Sequence, residues 1–403
     1  MAGVRARRGA ERRAERRRAA RRNVLVTVAS VVAAVGTVAG LMSALDDREG
    51  GPQARPKATG SPTLEPMPAV PTPTSAPTPA PFRSASSPPP SEPTPSKATE
   101  RPAPDTDRPA PKPSAPAAER LYRHGDSQVL DWVRAHQGDP RRPLIESRIA
   151  RRPAAVWFAD HAPQTIRSRV RAVTSSAGDR VPVLVPYAIP DRDCGGASQG
   201  GAPDLAAYDA WIDRFAAGLG TGEVIVILEP DAIALSECLS KGQRAARYAA
   251  LARAGRVLKA ADPQARVYYD AGHSGWHGAG EQAARLRESG AASAASSDGV
   301  FTNVSNFHRT ADEVAYARRV LAALGGPKGL GAVIDTSRNG NGAPADGTWC
   351  DPGGRKLGRA PTLRTRAARI DAYLWIKLPG ESDGCAAAPG TFTPGYAYEL
   401  ARD

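Results

Sequence analysis

Val224-Ile225-Val226-Ile227-Leu228-Glu229-Pro230-Asp231 sets five continuous apolar residues directly before two acids. A run of this length, rich in β-branched residues, reads as a strand buried on both faces that delivers carboxylates at its C-terminal end. Pro230 disfavours helical backbone at the preceding residue, so Glu229 is expected to stay extended. The arrangement recurs along the chain. Val181 to Tyr187 precedes Asp193, Arg266 to Tyr269 precedes Asp270, Ala332 to Ile334 precedes Asp335, and Tyr373 to Ile376 precedes Glu381 and Asp383. With Ala154 to Phe158 and Gly299 to Thr302 these runs make about seven strands. Helical spacing of apolar residues separates most of them, clearest over Leu205 to Leu219, Lys241 to Ala261, Gly280 to Ser289 and Thr310 to Leu324. Such alternation leaves two candidates, an α/β barrel of seven or eight strands or an open doubly wound sheet. Acids on nearly every strand end favour the barrel, because closure gathers all the strand ends around one pit.

Outside this region the chain changes character. Ten arginines crowd residues 1 to 22 against Glu11 and Glu15, about +8 of the formal +13 carried by all 403 residues. Asn23 to Leu45 is uncharged and almost wholly apolar, about 23 residues, long enough to cross a bilayer as a helix. The arginines before it are expected to remain inside the cell, making the segment a signal-anchor, with a cleaved signal peptide as the rival. Either way the C-terminal portion is exported. Residues 46 to 118 are dominated by proline, alanine, serine and threonine and sum to about zero charge. With so little large apolar surface they cannot bury a core, and they read as a semi-rigid spacer. Residues 119 to 403 then form the globular domain. Their charge is only about +5, so nucleic acid is not expected as a partner.

All four cysteines, Cys194, Cys238, Cys350 and Cys385, lie in the exported part, with no Cys-x-x-Cys pair. This favours disulfides over zinc, and order along the chain suggests Cys194 with Cys238 and Cys350 with Cys385, one of three possible pairings. Gly195 to Gly201 is glycine-rich but lacks the Lys-Ser/Thr of a P-loop and the spacing of a dinucleotide fold, so a flexible loop near the pit is expected. Asn339-Gly340-Asn341-Gly342 is turn chemistry.

An acid-rich pit without a nucleophile triad suits general acid/base hydrolysis of a glycosidic bond: one carboxylic acid protonates the leaving oxygen while a second carboxylate acts on water or on the sugar. Asp231, beside the most buried strand, is the expected proton donor, its proton retained by burial and by repulsion from Asp193. Trp157, Trp276 and Trp349 fall at strand ends or in loops, where a flat ring can stack on a sugar. Trp132, Trp211 and Trp375 lie inside helix- or strand-like patterns and are expected to pack in the core. His273 could hydrogen-bond a sugar hydroxyl; with no second histidine at ligand spacing, no metal is expected.

At these residues the chain resembles glycoside hydrolase family six, the cellulases. The resemblance rests on Tyr187-Ala188-Ile189-Pro190-Asp191-Arg192-Asp193-Cys194, Ile227-Leu228-Glu229-Pro230-Asp231, Asp270-Ala271-Gly272-His273-Ser274-Gly275-Trp276, Thr302-Asn303-Val304-Ser305-Asn306, Asp335-Thr336-Ser337-Arg338-Asn339-Gly340 and Lys377-Leu378-Pro379-Gly380-Glu381-Ser382-Asp383-Gly384. It implies a distorted, incompletely closed α/β barrel that hydrolyses β-1,4-glucan with inversion and without metal or cofactor; a monomer is expected. Carried over by motif, Asp231 matches the general acid, Asp193 the aspartate that supports its protonation, Asp383 the proposed base and Tyr187 the tyrosine beneath the distorted sugar. Trp157, Ser198, His273, Trp276, Asn306, Trp349, Lys377 and Glu381 match substrate-contacting positions; Asp270 and Asp335 match acids with a structural role. The cysteine pairing suggested above is also the one the family implies. The sequence departs from the pattern at Ala159, where some members carry an aspartate, and in the loop from Cys194 to Pro203. Cys350 to Lys377 holds no large insertion that could roof the cleft, so endo cleavage is expected, with exo action or a non-catalytic glucan-binding protein as alternatives.

Overall fold

The computed structural model describes residues 120–402; the basic tail, apolar segment and spacer expected over residues 1–118 lie outside the described residues. Two N-terminal helical pieces, α1 (Gln128–Ala135) and α2 (Arg142–Ile145), the latter running into a wider turn over Glu146–Ala150, lead to the first strand. Seven strands follow in one sheet: β1 (Val156–Phe158), β2 (Val183–Pro186), β3 (Val224–Leu228), β4 (Ala265–Asp270), β5 (Gly299–Thr302), β6 (Gly331–Asp335) and β7 (Ile370–Leu374). Their spatial order equals their sequence order, and every pairing is parallel. The crossovers are α3 (Ile166–Ala177), α4 (Leu205–Ala216), α5 (Lys241–Ala261), α6 (Ala279–Glu288) and α7 (Thr310–Leu324), while β6 reaches β7 without a helix, and α8 (Pro394–Ala401) closes the chain. Local chemistry sets the helix starts. Asp204 accepts from the Ala207 N–H at 2.7 Å before α4, and Ser240 and Gln243 form a reciprocal capping box before α5.

Alternation along each strand divides the core in two. Val183, Val185, Ile225, Ile227, Tyr268, Phe301 and Val333 fill the inside of a curled sheet. Leu184, Val224, Val226, Leu228, Val267 and Ile334 face outward against the crossover helices. Both faces of β3 are therefore dry, which is why its sequence shows no polar alternation. Each such side chain, fully buried, stabilises the fold by about 1.5–3 kcal/mol. The barrel does not close. Across the seam between β1 and β7, Ala155 donates its N–H to the Trp375 carbonyl at 2.9 Å and the Trp157 indole donates to the Ile376 carbonyl at 2.8 Å, in place of a ladder. A third apolar cluster, in which α1, α2 and α8 bury Trp132 and Trp375, packs on that side.

Of the two architectures left open by the sequence, the structure is the incompletely closed barrel. The last strand differs from expectation: it spans Ile370–Leu374, not Tyr373 to Ile376. Asp371 disguised its start, since a charged residue there reads as loop, yet its carboxylate accepts the buried Tyr268 hydroxyl at 2.8 Å. The cysteines pair as Cys194–Cys238 and Cys350–Cys385.

Candidate active site

Where the strands end, a cleft of about 1190 Å³ opens, lined by residues that follow each of the seven strands together with the stretch around Asp126–Asp131 before β1. All twelve residues singled out in the sequence line it: Tyr187, Asp193, Asp231 and Asp383, together with Trp157, Ser198, His273, Trp276, Asn306, Trp349, Lys377 and Glu381. The three tryptophans set apart as packing residues are buried instead: Trp132 in the cluster of α1 and α8, Trp211 on the buried face of α4 and Trp375 behind the seam.

The backbone around the cleft is unusual. Asp191, Asp193, Cys194, Glu229, Asp231, Asn303 and Ser305 all have positive φ between 48° and 69°. Non-glycine residues adopt this region at a cost, and they gather where side chains must be aimed. Glu229 (φ 49°) is thus not extended as Pro230 alone would dictate. The local preference is overridden by its carboxylate, which turns into the protein and accepts from the Ala188 N–H (2.9 and 3.0 Å) and the Ile189 N–H (3.0 Å). Burial nevertheless raises its carboxyl to about 7, against those hydrogen bonds.

The ring of strand-end acids therefore splits. Asp193, Asp231, Glu381 and Asp383 face the cleft. Glu229, Asp270 and Asp335 face inward and hold backbone. Asp270 accepts from the N–H groups of Ala234 (2.9 Å), Gly272 (2.8 Å) and Ile233 (3.3 Å), fixing the turn that carries Asp231. Asp335 accepts from Ser337 (2.9 Å), Lys377 (3.0 Å) and Ser305 (3.4 Å), joining the loops after β5, β6 and β7.

Asp231 lines the cleft beside Tyr187 and two other acids. Its carboxyl is held well above the usual range, first by burial, then by Asp270 and then by Asp193. Sequence reasoning named Asp193 as the charged neighbour; Asp270 acts more strongly, because its inward-facing carboxylate lies beneath the same turn. Tyr187 is raised for related reasons, burial first and then Asp231 and Asp193. The Tyr187 ring packs edge-on against Trp157 at 5.3 Å and beneath the Arg192 guanidinium at 4.5 Å.

The glycine-rich loop sits at the cleft, and it is tied down. Asp193 accepts from the Ser198 N–H at 2.6 Å, Arg192 donates to the Ser198 carbonyl at 2.8 Å, and Cys194–Cys238 bonds the loop to the segment after β3. Gly201 has φ 106°, and a Cβ there would lie 2.0 Å from the Ile189 carbonyl oxygen, so this glycine serves close approach.

Asp383 has the opposite surroundings. It pairs with the Arg338 guanidinium at 2.8 Å and lies 3.5 Å from the Lys377 ammonium, the three side chains being 10% exposed or less. Asp351 builds the loop beneath, accepting from the Asp383 N–H (2.7 Å), the Ser382 hydroxyl (2.6 Å), Cys385 (3.1 Å) and Ala386 (2.9 Å), with Cys350–Cys385 alongside. Neither Arg338 nor Asp351 was singled out from sequence. An arginine three residues past the buried run at β6 was the available signal for the first; Asp351 had none, being one more acid in an irregular loop. Glu381 is raised to about 7 by burial, opposed by Lys377 and Arg338.

His273 stacks on His308 at 4.2 Å, and burial, followed by the neighbouring histidines, lowers it to about 3. It is thus a neutral ring facing the cleft. Away from the cleft, Glu237, His277 and Glu281 could converge on a metal, but the Arg285 guanidinium already lies 3.0 Å from Glu237, 2.6 Å from Glu281 and 3.1 Å from His277.

A cleft between aromatic faces, with one carboxyl kept protonated by acids and burial and another set between cations, has the parts of a general acid/base glycosidase. Comparison with known proteins agrees. The family model for Glycosyl hydrolases family 6 matches residues 117–396. Endoglucanase 1 of Streptomyces sp. (strain KSM-9) is 53% identical over 284 residues, 70% of this chain and 77% of that protein. Endoglucanase A of Thermobispora bispora is 50% identical over 286 residues, 70% of this chain and 62% of that protein. Among solved structures, the endoglucanase Cel6 from Mycobacterium tuberculosis in complex with methyl-cellobiosyl-4-deoxy-4-thio-β-D-cellobioside superposes with a TM-score of 0.64 at 38% identity, covering 70% of this chain and 95% of that one. By its sequence, its curled parallel sheet and the acids its strands deliver, the chain belongs to the glycosyl hydrolases of family 6.

Proposed function

We propose that the chain is an endo-β-1,4-glucanase that hydrolyses cellulose-type glucans with inversion, using Asp231 as acid and Asp383 as base. The observation that carries this reading is the contrast between those two carboxyls across one cleft. Asp231 gives its proton to the glycosidic oxygen as the bond to the anomeric carbon breaks. Water attacks that carbon from the opposite face and releases a proton toward Asp383, so acid and base exchange states in one turnover. Tyr187, held by Trp157 and Arg192, forms the floor under the reacting sugar, and Asp193 and Asp270 keep Asp231 protonated until transfer. Trp157, Trp276 and Trp349 supply stacking faces, and Ser198, His273, Asn306, Lys377 and Glu381 supply polar contacts. Trp349 is 57% exposed, so no loop among the described residues roofs this end of the cleft, which supports internal cleavage over exo action. Two disulfides support an exported site of action, anchored by the apolar segment or secreted.

The test is digestion of uncharged hydroxyethylcellulose and of cellohexaose by the purified protein, following viscosity together with new reducing ends. The uncharged polymer is the better probe because the cleft walls carry Asp126, Asp131, Asp193, Asp231, Glu381 and Asp383 against Arg192 and Lys377. A steep viscosity fall per bond cut is expected. Cellobiose release with little viscosity change would replace endo with exo action, and binding without products would leave a glucan-binding protein.

A further inference from the structure

A second cavity, of about 730 Å³, opens where the strands begin. Its walls come from the segments that precede β1, β2 and β7, whereas the catalytic cleft is lined mainly by segments that follow the strands, with the stretch around Asp126–Asp131 and Ala155 as the exceptions, and the two openings share no lining residue. Six arginines line it: Arg123, Arg151, Arg152, Arg180, Arg359 and Arg364. No acid does. Arg151 pairs with Glu146 at 3.2 Å; among the described residues the other five have no carboxylate within 4.0 Å. Elsewhere in the domain arginines are routinely paired, as Arg253 is with Asp213 and Arg285 with Glu237. Holding guanidinium groups together without counter-charge works against the fold through their mutual repulsion, and focuses anions into the recess that they surround. The domain's modest positive charge is thus concentrated at the end opposite its acidic cleft.

We propose that this recess is a binding site for a compact, multiply charged anion of the oligophosphate class. Guanidinium forks match phosphate oxygens two at a time, and Thr362 and Thr365 add hydroxyl groups to the wall. Other occupants fit less well. The recess lacks the stacking platforms of a single-strand binder, since its one aromatic, Tyr373, is 5% exposed and lies under Arg359 at 5.4 Å. It lacks the apolar rim of a membrane-docking face, since the only exposed large apolar residue among the described residues, Trp349, lines the cleft.

The experiment is a thermal titration of the full chain with inorganic tripolyphosphate at low ionic strength. The same titration on the Arg180→Gln/Arg364→Gln double variant separates the recess from the arginines of residues 1 to 22, which both proteins keep. Tripolyphosphate at about five times its Kd is expected to raise the wild-type melting temperature by about 3 °C, with an apparent Kd about tenfold weaker in the double variant. Cellohexaose hydrolysis is expected to be equal in both, and the titration reads binding whether or not the glucanase proposal holds. Should the double variant fail to fold, Arg152→Gln/Arg359→Gln removes two other walls of the recess. Equal affinity in wild type and variant, no shift in the wild type, or an oligonucleotide that competes equally well in both proteins would each overturn the proposal, the last by placing anion binding outside the recess.

Discussion

The turn after β3 and the loop after β7 each deliver an aspartate to the same cleft, and their surroundings have opposite sign. Asp231 stands beside Asp270 and Asp193, so its proton stays. Asp383 stands between Arg338 and Lys377, fully paired. Both side chains are the same chemical group, and the different roles proposed for them rest on their supports. In each case one carboxylate holds the segment in place: Asp270 fixes the turn of Asp231 through the two backbone N–H groups of Ile233 and Ala234, and Asp351 fixes the loop of Asp383 through four donors. In the proposed mechanism, acid and base are assigned by the second ring of charges rather than by the carboxylates themselves.

The largest effect expected from breaking this contrast is at Asp231. Asp231→Asn deletes the proton donor with almost no change in shape, and kcat on cellohexaose should fall by about 10³-fold. Binding of cellohexaose, followed by calorimetry, should be retained. Near-normal turnover would remove Asp231 from the mechanism. At the other pole, Arg338→Met leaves Asp383 buried with Lys377 alone. Breaking a buried pair by deleting one partner costs about 3–5 kcal/mol, so denaturant unfolding should show a loss of that order, with kcat reduced as well. Arg338→Lys should recover part of both. An Arg338→Met protein as stable and active as the parent would mean that the pairing sets neither property.

Glu381 offers a sharper test of how the two cations divide their influence. Its folded carboxyl, at about 7, lies above the ordinary value of 4.5 because burial outweighs the charges of Lys377 and Arg338. Between pH 4.5 and 7 the folded protein therefore holds a proton that the unfolded chain has released. Ionising the group in place works against folding above pH 7, and that cost disappears below pH 4.5. Glu381→Gln should then be more stable than the parent at pH 8, by up to about 3 kcal/mol, with the difference shrinking to nothing as pH falls through this window. A constant difference across pH would show that packing, and not the carboxyl's charge, is responsible.

Much of this was legible in the sequence because the signals were local. The dry faces of β3 read as an uninterrupted apolar run, and the acids just past each run could be placed at one rim. What could not be read was which way those acids point. Glu229 and Asp231 are separated by one residue, both with positive φ, yet one holds the backbone of Ala188 and Ile189 and the other faces the cleft. That choice depends on donors about forty residues away in the chain. Asp351 was invisible for the same reason, and Arg338 left only its place just past β6 as a signal, since each matters through a loop that folding brings beside it. Asp371, which concealed the start of β7, is satisfied by Tyr268 from three strands away.

The smallest and most specific prediction isolates Asp270. Asn in its place keeps one acceptor for the turn and removes the charge that ranks ahead of Asp193 in holding Asp231's proton. With that repulsion gone, Asp231 should release its proton at lower pH. The alkaline limb of kcat for Asp270→Asn should therefore move to lower pH while the acidic limb stays, so that the variant loses rate only on the alkaline side. A purely structural role for Asp270 would lower kcat by the same factor at every pH. Movement of the limb, rather than loss of rate, is the signature that one aspartate sets the proton affinity of the other, and an unmoved limb would leave burial and Asp193 as the causes.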